Sequence, residues 1–526
     1  MAATISSQVS CVGINQVAHA QEIGLPDYWR QAHNESKETS AMKIVIFSPL
    51  ATVAPHYETE LEIIQRHLDD GDQVEMVACT GRLANCDFNH DRVQSKCNDC
   101  LGRRTHGLQL LDQRIKLHPL EAFDSLRFSE LKTSFSTVGE LIAYTFENFD
   151  VGYAVLSSLV SICRNPKPDL QDCQSIVTAL FQSSIATYQQ TLEYCRQQNP
   201  DRVYVFNGRF AATRAVLRAC QSLQIDCHLH ERGCDTDHYQ LFENKLPHDI
   251  VYMQKRIRAA WNVANETERV SKATNWFHDR VNRVERSWHS FVKEQTRGQL
   301  PGNWDTSRRN ITVFTSSEDE FVSIGDCWKN PLYKNQLDGL TQTVNDLNKV
   351  DPSIHLYVRI HPNLANVDDD SVSAIYGLAS DRVTILAPDD PTDSYDLMRH
   401  SEKVVTFGSS IGIEAVFWNQ PSILLGQCFY RGLGGVYQPD SHESYLQMLN
   451  SHLSPGGTAG ALMYGHWFQT HGIKFKHFQA KGLFEGKFKG QVVFSQPKLS
   501  LPRRFRKTIK SWFRHAVDNS RVIVNK

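Results

Sequence analysis

The stretch Thr406–Gly426, TFGSSIGIEAVFWNQPSILLG, joins a short apolar strand to a helix through Gly408, Ser409 and Ser410 and seats Glu414 in the helix's first turn. Small residues at such a junction let backbone amides approach a ligand. The helix start adds free N–H groups and a positive dipole end, both suited to phosphate. Helical side chains lean back toward the N-terminus, so Glu414 can reach the ligand end and accept hydrogen bonds from ribose hydroxyls. The competing reading is that Ser410 only caps the helix. A capping box needs its Glu three residues after the cap, whereas Glu414 lies four after Ser410 and five after Ser409.

Three other segments have the same relation to a strand: Thr315–Phe321 (TSSEDEF, with Ser316 and Ser317), His361-Pro362-Asn363, and Pro388–Tyr395. Open parallel sheets bind ligands at the carboxyl ends of their strands, so all four segments are expected at one cleft. His361 ends a strand and is followed at once by Pro362, which favours a ligand contact over a satisfied surface histidine.

The first half offers candidates for the opposite wall. Pro55–Glu60 (PHYETE) follows the first strand with His56, Glu58 and Glu60, which are either candidate bases or ordinary acidic residues at a helix start. Asn207, Arg209, Glu231 and Arg232 follow two further strands, as acceptor-binding groups or as a structural ion-pair cluster. Cys79, Cys86, Cys97 and Cys100, with His90 inside the span, have the spacing C-x6-C-x10-C-x2-C. They are compatible with a structural zinc or Fe-S site, or with four reduced thiols.

The elements that position these residues follow from apolar periodicity. Met42–Leu50 reads as a buried strand, Glu58–Leu68 as a helix and Gln73–Cys79 as a second strand, a βαβ unit that recurs over Arg202–Gly233. Ser129–Gln198 reads as a helical insertion, and about Gln254–Lys293 as polar helix ending in a linker, Arg297–Asn310. Strands then return at Ile311–Ser317, Ile354–Asn363, Arg382–Leu386, Lys403–Phe407 and Ser422–Gly426, with a helix at Leu337–Val350. The expected fold is α/β, two Rossmann-like doubly wound parallel-sheet domains facing a cleft. The expected boundaries are 1–41 for an N-terminal extension, 42–300 for the first domain, 308–475 for the second and 476–526 for a basic tail.

Val358–Asn363 (VRIHPN), Thr406–Gly426 and Tyr430–Tyr437 (YRGLGGVY) resemble the nucleotide-binding half of bacterial capsule polysaccharide biosynthesis glycosyltransferases. These are GT-B enzymes, a group that includes the Kdo and sialic acid transferases with a His-Pro motif. The resemblance runs over about 311–437 and more loosely over 42–233. It implies that His361 of the His361-Pro362 pair, Ser409, Ser410 and Glu414 bind the nucleotide of a sugar donor; the strand-end rule adds Pro362, Ser316 and Ser317 as candidates beside them. The resemblance also implies transfer to a surface polysaccharide or glycolipid without a required metal or cofactor, because helix dipole and side chains stabilise the departing phosphate. The resemblance does not fix the donor; a CMP-linked sugar is among those it admits. A nucleotide-sugar 2-epimerase of the same fold and a non-catalytic scaffold are the alternatives.

Composition limits the rest. The 526 residues carry 56 basic and 58 acidic side chains, so no global field recruits nucleic acid. No apolar run is long enough to span a bilayer and the first forty residues lack a signal-peptide pattern, which leads to the expectation of a cytoplasmic protein. Thirteen cysteines, an odd number, point to reduced thiols. Pro502–Val517 (PRRFRKTIKSWFRHAV) has the composition of an interfacial helix, which gives the expectation of contact with the anionic inner face of a membrane; its alternative is a helix returning across the first domain.

Overall fold

The computed structural model describes residues 41–121, 132–365, 367 and 370–493. The expected N-terminal extension to residue 40 and the basic segment 502–517 lie outside them.

The first unit runs β1 (Lys43–Ser48), α1 (His56–Asp69), β2 (Gln73–Cys79), α2 (Gln94–Gln109) and β3 (Lys116–Leu120). The insertion follows as α3 (Val138–Ala143), α4 (Val151–Cys163) and α5 (Gln174–Gln198), then β4 (Arg202–Phe206), α6 (Ala211–Leu223), β5 (Asp226–Arg232), β6 (His238–Glu243), α7 (Ile250–Val263) and α8 (Glu266–Val281). The second unit holds β7 (Arg309–Phe314), α9 (Gln336–Asn345), β8 (Ile354–Arg359), α10 (Asp370–Tyr376), β9 (Val383–Leu386), α11 (Ser394–His400), β10 (Lys403–Thr406), α12 (Ile411–Phe417), β11 (Ser422–Leu424) and α13 (His442–Asn450). The chain ends in α14 (Ala459–Thr470), β12 (Ile473–Lys474), β13 (Phe478–Gly482) and β14 (Glu485–Phe488).

Both sheets have the doubly wound form, and the protein is α/β with two Rossmann-like units. The second sheet is all parallel, in the order β11-β10-β7-β8-β9. Burial on both faces explains the run of apolar residues in these strands; all six residues of β8 are buried. The first sheet has the order β12-β6-β5-β4-β1-β2-β3 and is mixed, because β6 runs antiparallel to β5 and β12 antiparallel to β6. The insertion is helical as expected. Phe149, Leu156 and Phe181 pack with Ala215 of α6 into a core of their own.

Two expectations for the C-terminal stretch are corrected. β12 belongs to the first sheet, and residues 476–493 are not a free tail, since β13 and β14 form a hairpin docked on α1. The anchor is Glu62, which is fully buried: Oε1 accepts from the Lys476 N–H at 2.7 Å, and Oε2 from those of His477 at 2.7 Å and Phe478 at 3.1 Å. The two units also share a core, in which Phe277 of α8 stacks on Phe417 of α12 at 3.9 Å.

Candidate functional site

β7 lies between β10 and β8, so the second sheet changes winding direction there and its strand ends open a crevice. A cavity of about 450 Å³ occupies it, lined from the second unit by Ser316, Ser317, His361, Pro362, Ser409 and Ser410. The nucleotide-site residues expected from the sequence therefore meet at one place. Glu414 lines the same cavity.

The opening stretch works differently from the expectation. The α12 helix has only seven residues, and within its first turn Gly412 N–H donates to the Ser409 carbonyl and Glu414 N–H to the Ser410 carbonyl, both at 3.1 Å. Ser410 does not cap the helix either. Its hydroxyl donates to Glu414 Oε1 at 2.8 Å and accepts from Arg280 Nη2 at 3.1 Å. Glu414 leans back as predicted, but it is fully buried. Oε1 also accepts from Arg280 Nη2 at 3.1 Å, and Oε2 from the Tyr395 hydroxyl at 2.6 Å. Its carboxylate holds the cavity wall together, positioning Arg280 and Ser410. The cavity wall also offers side-chain donors for an anion.

Those side chains are cationic and poorly satisfied. Arg359, at the end of β8, is 1% exposed, and its Nη2 donates to the Asp390 carbonyl at 2.9 Å. Its Nε and Nη1 make no hydrogen bond, Nη1 standing 3.6 Å from Asp390 Oδ1. Ser316 Oγ is likewise buried without a hydrogen-bond partner. A buried donor left unpaired costs free energy, which a ligand oxygen would recover.

His361 belongs to the same wall. Its backbone N–H donates to Thr315 Oγ1 at 2.9 Å, and its Nδ1 accepts from the Asn363 N–H at 3.2 Å. Burial, with Arg280, Arg359 and Arg164 nearby, lowers its pKa to about 4. The ring is thus neutral at physiological pH, and with Nδ1 accepting, Nε2 carries the proton and is a donor. Pro362 opens the short 3-10 turn that presents Asn363.

Arg280 and Glu320 complete the wall and were not singled out in the sequence. Arg280 is one of many charged residues in polar α8, and no local spacing marks it. Glu320 lay inside the highlighted TSSEDEF segment. It lines the cavity, Asn363 Nδ2 donates to its Oε1 at 2.7 Å, and burial followed by the neighbouring Asp319 raises its pKa. The other cavity carboxylates are committed: Asp279 pairs with Arg286 at 3.1 Å, and Glu414 with Arg280.

The first-half candidates do not line this cavity. Glu58 and Glu60 are each 2% exposed. Glu58 pairs with Arg103, and burial raises its pKa; Glu60 Oε1 lies 3.7 Å from His230 Nε2. His56 packs on Phe206 with ring centroids 4.1 Å apart, its pKa driven well down by burial and by Arg232. Asn207 donates to Glu231, whose other oxygen accepts from the Arg232 N–H at 3.2 Å. Arg232 clamps chain segments through the carbonyls of Leu483 at 2.8 Å, Ala54 at 3.0 Å and Ser287 at 3.1 Å. Arg209 donates to the Glu320 carbonyl at 2.8 Å, so of this group it is the one fastened to the cavity wall.

The cysteine segment has no convergent ligand set among the described residues. Gly81 N–H donates to Cys79 Sγ at 3.3 Å, Asn89 Nδ2 to Cys97 Sγ at 3.1 Å, and Ala51 N–H to Cys100 Sγ at 3.3 Å. Burial first, then Asp87, pushes the Cys86 thiol up to about 12. His90 lies beside Asp91 at 3.2 Å. The group whose ligand atoms do converge is Cys234, Asp235 and His238.

Residues 332–452 match the family described as capsule polysaccharide biosynthesis protein, which spans α9 to α13 and includes His361, Ser409, Ser410 and Glu414. The resemblance read from the residues holds over that segment. A comparison with curated proteins returns no match. Among solved structures, this chain is similar to the β-Kdo 2,7 transferase KpsC of Thermosulfurimonas dismutans, at 15% identity and TM-score 0.33, over 53% of this chain and 80% of that one. It is also similar to the UDP-GlcNAc 2-epimerase of Neisseria meningitidis, at 11% and 0.27, over 80% and 97%. The glycosyltransferase SnogD of Streptomyces nogalater is a third, at 11% and 0.22, over 83% and 96%. No helix among the described residues is long and apolar enough to cross a membrane.

Proposed function

We propose that the protein is a glycosyltransferase that moves a sugar from a nucleotide-activated donor to a surface polysaccharide or glycolipid acceptor. The observation that carries this reading is Arg359, a buried cation whose Nε and Nη1 make no hydrogen bond, at a cavity wall shared with Ser316 and neutral His361. That set suits the phosphate of a nucleotide: Arg359 supplies charge, and Ser316 and His361 Nε2 supply neutral donors. As the glycosidic bond to phosphate breaks, negative charge grows on the leaving oxygen, and donors fixed in advance stabilise it without reorganisation. This part of the reaction requires no metal.

The acceptor hydroxyl must lose a proton as it attacks. Glu320 is the cavity carboxylate suited to take it, because burial raises its proton affinity and Asn363 fixes its orientation. Part of the wall, including Arg359, His361, Ser409, Ser410 and Glu414, comes from the segment that matches the capsule family, which supports a polysaccharide or glycolipid acceptor.

Calorimetric titration with CMP, UDP, GDP and CDP tests the donor half of the proposal, with binding to at least one expected and lost in Arg359→Gln. Product analysis separates the enzymes: sugar joined to an acceptor is expected, whereas free epimerised sugar nucleotide would assign the fold to 2-epimerase chemistry. Binding without turnover would leave a scaffold. The same proposal places the protein at the cytoplasmic face of an anionic membrane through the basic segment 502–517. Undiminished vesicle binding after truncation beyond Leu501 would remove that element.

A further inference from the structure

A second chemical centre lies in the turn between β5 and β6, Gly233–His238 (GCDTDH). One ligand atom from each of Cys234, Asp235 and His238, a thiol sulfur, a carboxylate oxygen and a ring nitrogen, falls within 4.8 Å of the other two. The turn is held by its own backbone. Gly233 N–H donates to the His238 carbonyl at 2.8 Å, and Cys234 N–H to the His471 carbonyl, past the end of α14, at 2.9 Å. A Cβ on Gly233 would stand 2.6 Å from that of His238, so the closure needs glycine.

The donor mix is informative. Calcium and magnesium take oxygen ligands, whereas sulfur, imidazole and carboxylate together suit a borderline-soft ion such as zinc. Arg286 supplies an outer contact, its Nε donating to the Cys234 carbonyl at 3.3 Å and its Nη2 lying 3.5 Å from Asp235 Oδ2. That orients the carboxylate with Oδ1 toward His238. Oδ1 and His238 Nδ1 meet at 2.5 Å, so an ion with bonds of about 2.0 Å requires them to part by roughly 1 Å. The partly exposed His238 ring can supply that movement by rotation. Cys234 is 4% exposed and also lines the main cavity.

We propose that Cys234, Asp235 and His238 form a zinc site with three protein ligands. This stands independently of the glycosyltransferase reading and of the segment Cys79–Cys100.

The test uses the full chain, stripped with chelator and reloaded with Zn²⁺ or Co²⁺. One equivalent of zinc by elemental analysis, and a thiolate-to-cobalt charge-transfer band, are expected. Cys234→Ser should abolish the band, and both Cys234→Ser and His238→Gln should lower the zinc content by one equivalent. The double variant Cys86→Ser/Cys97→Ser should keep that equivalent. Wild-type protein that takes up no metal overturns the proposal, as does a band or zinc equivalent that survives Cys234→Ser or His238→Gln, or one lost only with Cys86 and Cys97. If either single variant unfolds, loss of the cobalt band in Asp235→Asn decides the question in its place.

Discussion

Arg280 of α8 and Glu414 of α12 meet across the boundary between the two units, Nη2 to Oε1 at 3.1 Å, with Ser410 bonded to both. Breaking a buried ion pair by removing one partner costs about 3–5 kcal/mol, discounted here because the Arg280 side chain is 34% exposed. Glu414→Gln is therefore expected to destabilise by about 1–3 kcal/mol and Arg280→Met by a similar amount. Chemical denaturation of both singles and the double should reveal a coupling above about 0.5 kcal/mol. Strict additivity would show the pair to be inert.

Arg359 should behave in the opposite way. Its Nε and Nη1 are buried without a hydrogen bond, and its carboxylate neighbour Asp390 is 30% exposed, so water can solvate Asp390 while an apolar replacement removes the desolvation cost of the cation. Arg359→Met is expected to keep or raise the melting temperature while weakening nucleotide binding roughly ten- to a hundredfold, the loss of about 1.5–3 kcal/mol for a charged hydrogen bond. A variant that binds nucleotide as well as wild type would remove Arg359 from the ligand site.

Glu320→Gln preserves shape and the contact with Asn363 but cannot accept a proton. Turnover should fall by roughly 10² to 10⁴ with nucleotide affinity changed less than about twofold. The measurement is steady-state kinetics beside calorimetry. A full-rate variant would move the base elsewhere.

Glu62→Ala leaves three N–H groups of the hairpin without their carboxylate and should cost about 3 kcal/mol or more. Limited proteolysis checks it: new cleavage between Gly472 and Val493 is expected before the rest of the fold opens.

Acid should destabilise the fold early. His228 and His361 are lowered to about 4, and His248 and His471 to about 3, in each case chiefly by burial. The unfolded chain, with histidines near 6.5, then binds more protons than the native state below that pH. Stability is accordingly full above about pH 6.5 and declines as pH falls toward 4, each group adding up to ~1.4 kcal/mol per pH unit. In the metal-free protein His238 has the reverse sign. Raised to about 10, chiefly by its bond to Asp235, it contributes stability below 6.5 that is lost as pH rises through 10. Urea midpoints measured from pH 4.5 to 10 should therefore peak near neutrality, and a midpoint that rises on acidification would contradict this.

The parallel strands were legible because burial on both faces makes β1, β7, β8 and β10 rich in apolar and β-branched residues. β13 and β14, FQAKG and EGKF, carry no such signal, and their partner α1 lies some 400 residues away in the chain. Glu414's backward lean followed from helix geometry, but its partner Arg280 is a long-range fact. Glu58 and Glu60 looked like the open end of a helix. What buries them is α2, bringing Arg103, and β5, bringing His230, and neither contact has a local sequence mark. The cavity's location followed from the strand-end rule, whereas the assignment of its donors required seeing which nitrogens and oxygens go unpaired.

The return of β12 and the hairpin to the first unit sets an order of events during synthesis. A chain leaving the ribosome at about 5–20 residues per second has completed α8 roughly 10 to 40 s before residue 488 appears. Through that interval the outer edge of β6, the face of α1 around buried Glu62 and the side of α8 that receives α14 stay uncovered. The first half thus emerges as an unfinished client, open to chaperones and to premature pairing, and its last pieces arrive only after the second half has been made.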